Sequence, residues 1–213
     1  MTDPHLPPDP ASAMPSQARP VRLSDLDPTR AREYLTRVPR LLVPVGTMVS
    51  RGPDVPLGAD SIIIDRLADD LSADLQVARS PVIPFGVHGR SDPDTPGSAS
   101  LTRKTLHRLM NELIAAWETE AKVREFIILS THTADAHLEA LSTIRSTNSV
   151  RLIDVFGIPR SIAAQDTRPL EIPLLAWLAP GLIPTATDQD AARGQQIYHT
   201  IRTRLGEQLR NGP

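Results

Sequence analysis

The chain has 213 residues, 40% of them hydrophobic and 23% charged, with a formal net charge of −2 and no Cys. That length favours one domain with a sizeable core, and the near-neutral charge gives no global electrostatic case for nucleic acid. The missing Cys excludes disulfides, thiolate metal sites and a thiol nucleophile, and no stretch approaches the roughly 20 apolar residues of a membrane-spanning helix.

Residues 1–20 hold six Pro and no apolar run, so they read as a disordered Pro-rich tail and not a signal peptide. A cytoplasmic location is the default expectation. From residue 21 to 213 the composition is that of a single globular domain. Asp27 and Pro28 open a capped helix that runs to about Leu35. Leu41 to Val45 is a short apolar run ending at Gly46 and reads as a buried strand. After a Gly- and Pro-rich loop, Asp60 is expected to cap a periodic helix from Ser61 to about Leu75. Val82 to Gly86 is the second apolar run, followed by a loop rich in Gly, Pro and Asp. A long amphipathic helix then extends from Leu101 to about Ala121, with Leu106, Leu109, Leu113 and Trp117 on its apolar face. Phe126 to Ser130 reads as a strand, Asp135 to Thr147 as a helix, Val150 to Phe156 as a strand, and Asp188 to Leu209 as a closing helix. Strands that are continuous apolar runs, alternating with helices, predict an α/β fold with a mainly parallel sheet covered on both faces.

In such folds the working site lies beyond the carboxyl ends of the strands. Loops 46–60, 86–98 and 130–137 occupy those ends and carry most of the notable polar residues. Among them, Asp60 is either a helix N-cap or a site carboxylate. His132 is either a satisfied buried histidine or a site residue. Arg51 is either an ion-pair partner for Asp60 or a clamp for a ligand. Asp92 and Asp94 suit Asx turns. His137 is expected on the surface of its helix, and Asp135 at that helix's cap. Met48, Trp117 and Trp177 suit the core or subunit contacts better than a substrate box.

The first loop carries a specific pattern. Pro44-Val-Gly-Thr-Met-Val-Ser-Arg-Gly-Pro-Asp-Val-Pro-Leu-Gly-Ala-Asp60 resembles, without a gap, the P-V-G-S-x-E-Q-H-G-P-H-L-P-L-G-T-D signature of the creatininase (creatinine amidohydrolase) family. Thr95-Pro-Gly-Ser-Ala-Ser-Leu101 is similar to the family's F-P-G-T-I-S-L, Ile127-Ile-Leu-Ser-Thr-His132 to its strand ending in N-G-H, and Ala191-Ala-Arg-Gly-Gln-Gln196 to its closing helix. The resemblance implies a three-layer α/β/α sandwich, typically a homohexamer, that hydrolyses C–N bonds of small amides with two divalent metals.

The same resemblance implies that most metal ligands are gone. The family's first-loop Glu and His ligands correspond to Val49 and Arg51, and the second His of that loop to Asp54. The bridging Asp is kept as Asp60, and the His after the strand as His132. A later Glu ligand corresponds to Ala134, the late catalytic His to Asp166, and the Glu of that segment to Glu171. Val49 offers no lone pair, and Arg51 puts a permanent cation where an imidazole would stand. No dinuclear centre and no cofactor are therefore expected; a single weak metal on Asp60, His132 and Asp54 or His88 is the alternative.

Three functions follow. The first is a repurposed, metal-independent enzyme acting on a small amide-like or cyclic molecule. In it His132 works as acid or base, oriented by Asp60 or Asp135, and Arg51 steadies an oxyanion. Asp54, His88, Arg90, Thr131, Asp135, Asp166 and Glu171 would contact the substrate. The second is a non-catalytic pseudoenzyme acting as an oligomeric binding or partner subunit. The third is an amidohydrolase with substitute metal ligands. A closed pocket that retains Arg51, Asp60 and His132 pointing at one point favours the first; a filled pocket favours the second. Small molecules and further copies of the chain are the expected partners, with neither nucleic acid nor membrane.

Overall fold

A computed structural model describes residues 18–89, 96–160 and 169–210. Arg90, Asp92, Asp94, Asp166 and the first 17 residues lie outside the described residues. After a 3-10 turn, Leu23–Asp25, the order is α1 (Pro28–Arg37), β1 (Arg40–Val45), α2 (Ala59–Leu75), β2 (Ala78–Arg79), α3 (Arg103–Glu120), β3 (Glu125–Ser130), α4 (Asp135–Ser142), β4 (Ser149–Asp154), α5 (Gly157–Arg160), α6 (Glu171–Leu178) and α7 (Asp188–Arg210). All strand pairs are parallel, in the order β2-β1-β3-β4.

Side-chain alternation along the two central strands divides the core. Leu41, Val43 and Val45 of β1 and Phe126 and Ile128 of β3 point to one face, against Leu35 of α1, Leu106, Met110 and Ile114 of α3, and Leu141 of α4. Leu42, Ile127 and Leu129 point to the other, against Ile63, Ile64, Leu67 and Leu71 of α2, Leu174 and Leu175 of α6, and Leu205 and Leu209 of α7. A strand buried on both faces must be apolar at every position, which is why these runs lack a polar alternation. The result is the expected α/β/α sandwich.

Local chemistry sets the helix ends. Asp27 accepts from the backbone N–H groups of Thr29 and Arg30 at 2.9 and 3.0 Å, and Thr102 accepts from Thr105 N–H at 3.1 Å; both satisfy orphan donors of a first turn. Gly194 of α7 lies so close to α6 that a Cβ there would stand 1.7 Å from the Pro173 carbonyl oxygen. Among the described residues, no helix is long and apolar enough to cross a membrane.

Some elements depart from the expectations. The second strand is Ala78–Arg79, and the apolar run 82–86 supplies only an isolated bridge between Ile83 and Val45. Pro81 and Pro84 lack the N–H groups that a ladder needs. Helix α4 stops at Ser142, five residues short of Thr147. On α3 the buried stripe is Leu106, Met110 and Ile114, with Leu109 and Leu113 only half-buried.

Candidate functional site

The carboxyl ends of β1 and β3 converge with the amino ends of α2 and α6. Beyond β1 the chain turns at Gly46, where a Cβ would meet the Ser61 backbone at 2.7 Å, so only glycine admits α2 this close. Thr47 and Arg51 follow on the loop. Helix α2 begins at Ala59 with Gly58 at its N-cap and no side-chain cap. Asp60 is thus inside the first turn and does not cap it, correcting the helix start; its carboxylate is buried and turned toward the sheet. Negative charge there is favoured by the N-terminal end of the helix dipole.

Arg51 joins the cluster. Its Nη2 donates to Asp60 Oδ2 at 2.8 Å and Oδ1 at 3.1 Å and lies 2.8 Å from Nδ1 of His132. Its Nε forms an ion pair with Glu171 Oε1 at 2.8 Å, though the N–H is not aligned on that oxygen. The Thr47 hydroxyl donates to Asp60, and Thr131 donates to the Asp60 carbonyl at 3.2 Å. Nδ1 of His132 also stands 3.4 Å from Asp60 Oδ2. These two contacts ask for opposite tautomers. A guanidinium only donates, so the shorter one requires a lone pair on Nδ1.

Electrostatics agree with a fixed ion cluster. Burial works to lower the Arg51 pKa, but Asp60 and Glu171 outweigh it and raise it. Burial pushes the Asp60 carboxyl up, yet the groups around it, Arg51 and Thr47 among them, hold it below the usual carboxylate range. Both groups stay charged because each is the other's counter-ion.

His137, expected on the surface, is fully buried beneath this cluster. Its Nδ1 accepts from Val87 N–H at 3.1 Å, and its Nε2 lies 3.1 Å from the Ser130 hydroxyl, which in turn bonds the His132 backbone. A Cβ on Gly86 would stand 2.5 Å from the His137 ring and 2.6 Å from Thr47. Burial first, and then the nearby His132 ring, lower the His137 pKa from 6.5 to about 4.

Of the sequence-selected residues, Arg51, Asp60, Thr131, His132 and Glu171 therefore come together. Asp54 is exposed on its turn, and Asp135 is an exposed first residue of α4. His88 bonds its neighbour Gly89 through Nδ1 at 2.7 Å and is braced by Ser100. Arg90 and Asp166 cannot be placed, lying outside the described residues. Sequence reasoning missed Thr47, Ser130 and His137. The signal for Ser130 and Thr47 was their position, each a small hydroxyl at the end of an apolar strand. Trp117 stacks on Phe126 and Trp177 packs on Tyr198, in keeping with core roles.

A family profile described as creatinine amidohydrolase matches residues 24–171, more than half of the chain. The chain belongs to the creatininase family. Solved structures agree in fold. A mutant creatininase of the Zn–Zn type superposes with a TM-score of 0.74 at 13% identity, covering 91% of this chain and 99% of that one. A creatinine amidohydrolase (creatininase) gives 0.74 at 12%, covering 91% and 97%. Another mutant creatininase gives 0.76 at 14%, covering 90% and 99%. No curated protein matches by sequence. At these identities the creatininase architecture is retained while the residues of the site are free to differ. Among the described residues, no three His, Asp or Glu side chains are grouped so as to hold an ion; the guanidinium of Arg51 stands among the three that come nearest.

Proposed function

We propose that this creatininase-family protein has exchanged metal-dependent amide hydrolysis for a metal-independent site, and that it acts as a non-catalytic binding subunit. One observation carries the reading. The guanidinium of Arg51 reaches Asp60, His132 and Glu171 together, the three positions where the family resemblance keeps its site residues. The donor set does not fit a dinuclear centre. A dication among these groups would face a permanent cation at about 4 Å or less in a poorly solvated niche, a repulsion of several kcal/mol. Val49 and Ala134 supply no ligand atoms. The charges of Arg51, Asp60 and Glu171 are spent on one another, which favours binding over turnover.

A second reading, the repurposed acid–base enzyme, draws on one contact, the 3.4 Å approach of Asp60 to Nδ1 of His132. It needs the imidazole proton on Nδ1, so that Nε2 can take a proton from a substrate.

The full chain, purified without chelator, is analysed for metal content, for mass in solution and for creatinine hydrolysis with and without added Zn2+ or Mn2+. The expected outcome is a folded protein, oligomeric as in the family, with well under about 0.1 ion per chain and no metal-stimulated hydrolysis; about two ions per chain with hydrolysis overturns the proposal. The double variant Val49→Glu/Arg51→His, which returns two family ligands and removes the guanidinium, is expected to take up metal.

A further inference from the structure

Two imidazoles stand edge to face in this site, His132 and His137, with ring centroids 5.1 Å apart at 89°. Both are buried, and they differ at one atom. His137 is engaged at each nitrogen: Val87 N–H donates to Nδ1, which leaves the proton on Nε2 facing Ser130. Among the described residues, the His132 ring is engaged at Nδ1 alone, and its Nε2 is buried without a hydrogen-bond partner. A buried polar atom left unmade costs on the order of 1–3 kcal/mol, so an outside partner at this atom would be favoured. Arg51 Nε and Arg79 Nε, without an aligned hydrogen bond, each still face a carboxylate, and His88 Nε2 lies on a loop away from the cluster.

Which kind of partner suits that atom follows from Arg51. The guanidinium cannot accept a hydrogen bond. At 2.8 Å from Nδ1 it fixes a lone pair there, and the ring proton goes to Nε2. The open atom is thus a donor. Arg51 has little positive charge to offer a ligand, because Asp60 and Glu171 both lie 2.8 Å from it. A full anion would approach a ring already backed by the buried carboxylate of Asp60. A neutral acceptor meets the donor without that repulsion. Arg51 itself is about a quarter exposed, so the edge of the cluster meets solvent, while Nε2 of His132 is itself buried and is reached only when the side chains over it shift.

We propose that Arg51 is a positioning residue that holds the His132 proton on Nε2, and that this N–H is the anchoring donor of a site for small molecules bearing an uncharged acceptor such as a carbonyl oxygen. The proposal rests on the metal-free reading above.

Long-range 15N–1H correlation spectra of the labelled full chain report which nitrogen of each histidine carries the proton, with His132→Gln to assign the signal. In the wild type the proton of His132 is expected on Nε2. In Arg51→Met, which keeps the length and removes the donors, it is expected to move to Nδ1 against Asp60. Acetamide and acetate, alike in shape and different in charge, are then titrated separately. Acetamide is expected to shift the His132 Nε2–H signal saturably, with acetate at least about tenfold weaker, and Arg51→Met is expected to weaken acetamide about tenfold, the loss of roughly one hydrogen bond. The wild-type spectra and titrations decide the matter even if Arg51→Met does not fold. A proton on Nδ1 in the wild type, a signal that responds to neither probe, or acetate binding as tightly as acetamide each overturn the proposal. These results are separable from the metal measurement: two ions per chain defeat the metal-free reading, whereas an Nδ1 proton in metal-free protein defeats only this one.

Discussion

Arg79 and Arg51 each sit against a pair of carboxylates, and they do different work. Arg79, at the end of the edge strand β2, is almost fully buried. Its guanidinium meets Asp65 and Asp69 and donates to the carbonyls of Ser80 and Asp65, both at 3.1 Å. Arg22 shares Asp69 through a bond of 2.8 Å, and a parallel bridge sets Arg22 beside Arg79. That cluster ties the start of the domain to the sheet edge, with two guanidiniums to two carboxylates. Arg51 also meets two carboxylates, but its third contact is an imidazole whose far nitrogen has no hydrogen-bond partner among the described residues. A buried ion cluster ending on backbone carbonyls closes a structure; one ending on a histidine leaves a directed hydrogen-bond donor.

The contrast can be broken most forcefully by removing each cation. Arg51→Met leaves Asp60 and Glu171 buried without their shared counter-ion, and is expected to cost about 4 kcal/mol. Arg79→Met is expected to cost about 3 kcal/mol by the same principle. Its loss is smaller because Asp65 is 44% exposed and Asp69 keeps Arg22. Denaturant unfolding of the two variants measures the order; equal losses would erase the distinction drawn between the clusters.

A pH titration sharpens it. The folded-state pKa of His137 is depressed to about 4 from 6.5, so between those values the unfolded chain binds the extra proton. Stability is therefore full above about pH 6.5 and falls as the pH drops toward 4, by a total of about 3 kcal/mol. The depressed Asp60 carboxyl adds a further loss below the normal carboxylate range. His137→Asn, which keeps an acceptor and a donor but cannot titrate, is expected to flatten the first part of that curve in chemical denaturation. An unchanged slope would remove His137 from the account.

The smallest effect concerns the floor under the cluster. Gly86→Ala sets a methyl 2.5 Å from the His137 ring and 2.6 Å from Thr47, and is expected to cost about 2 kcal/mol through overpacking. The variant should also disturb the His137 signals in the spectra described above, since its ring must shift to make room.

Much of the frame was legible. The apolar runs of β1 and β3, the cap at Asp27 and the loop leading to Asp60 are local features, and local chemistry fixes them. The misplaced second strand shows how a hydrophobic count can mislead: 82–86 has the composition of a strand, but Pro81 before it and Pro84 within it cannot complete the ladder. His137 was misjudged for a related reason. An eight-residue helix gives too little periodicity to decide which face is inward, and the burial of His137 depends on Gly86, more than fifty residues away in sequence. The meeting of Arg51 with Glu171 is a contact across most of the chain. No pattern within either loop announces it, and the chemistry of Arg51 alone left open whether it would pair internally or wait for a ligand.

Glu171 opens helix α6, and two residues later Pro173 presents its carbonyl to Gly194 of α7 with no room for a side chain between them. The C-terminal helix therefore acts as a gauge for the site through its packing on α6. Its one bare position sets how deeply α6 can seat, and so how far the Glu171 carboxylate reaches toward Arg51. A single methyl at residue 194 would lift the whole of α6 outward and lengthen that reach, detuning the niche from a distance while every residue that lines it stayed the same.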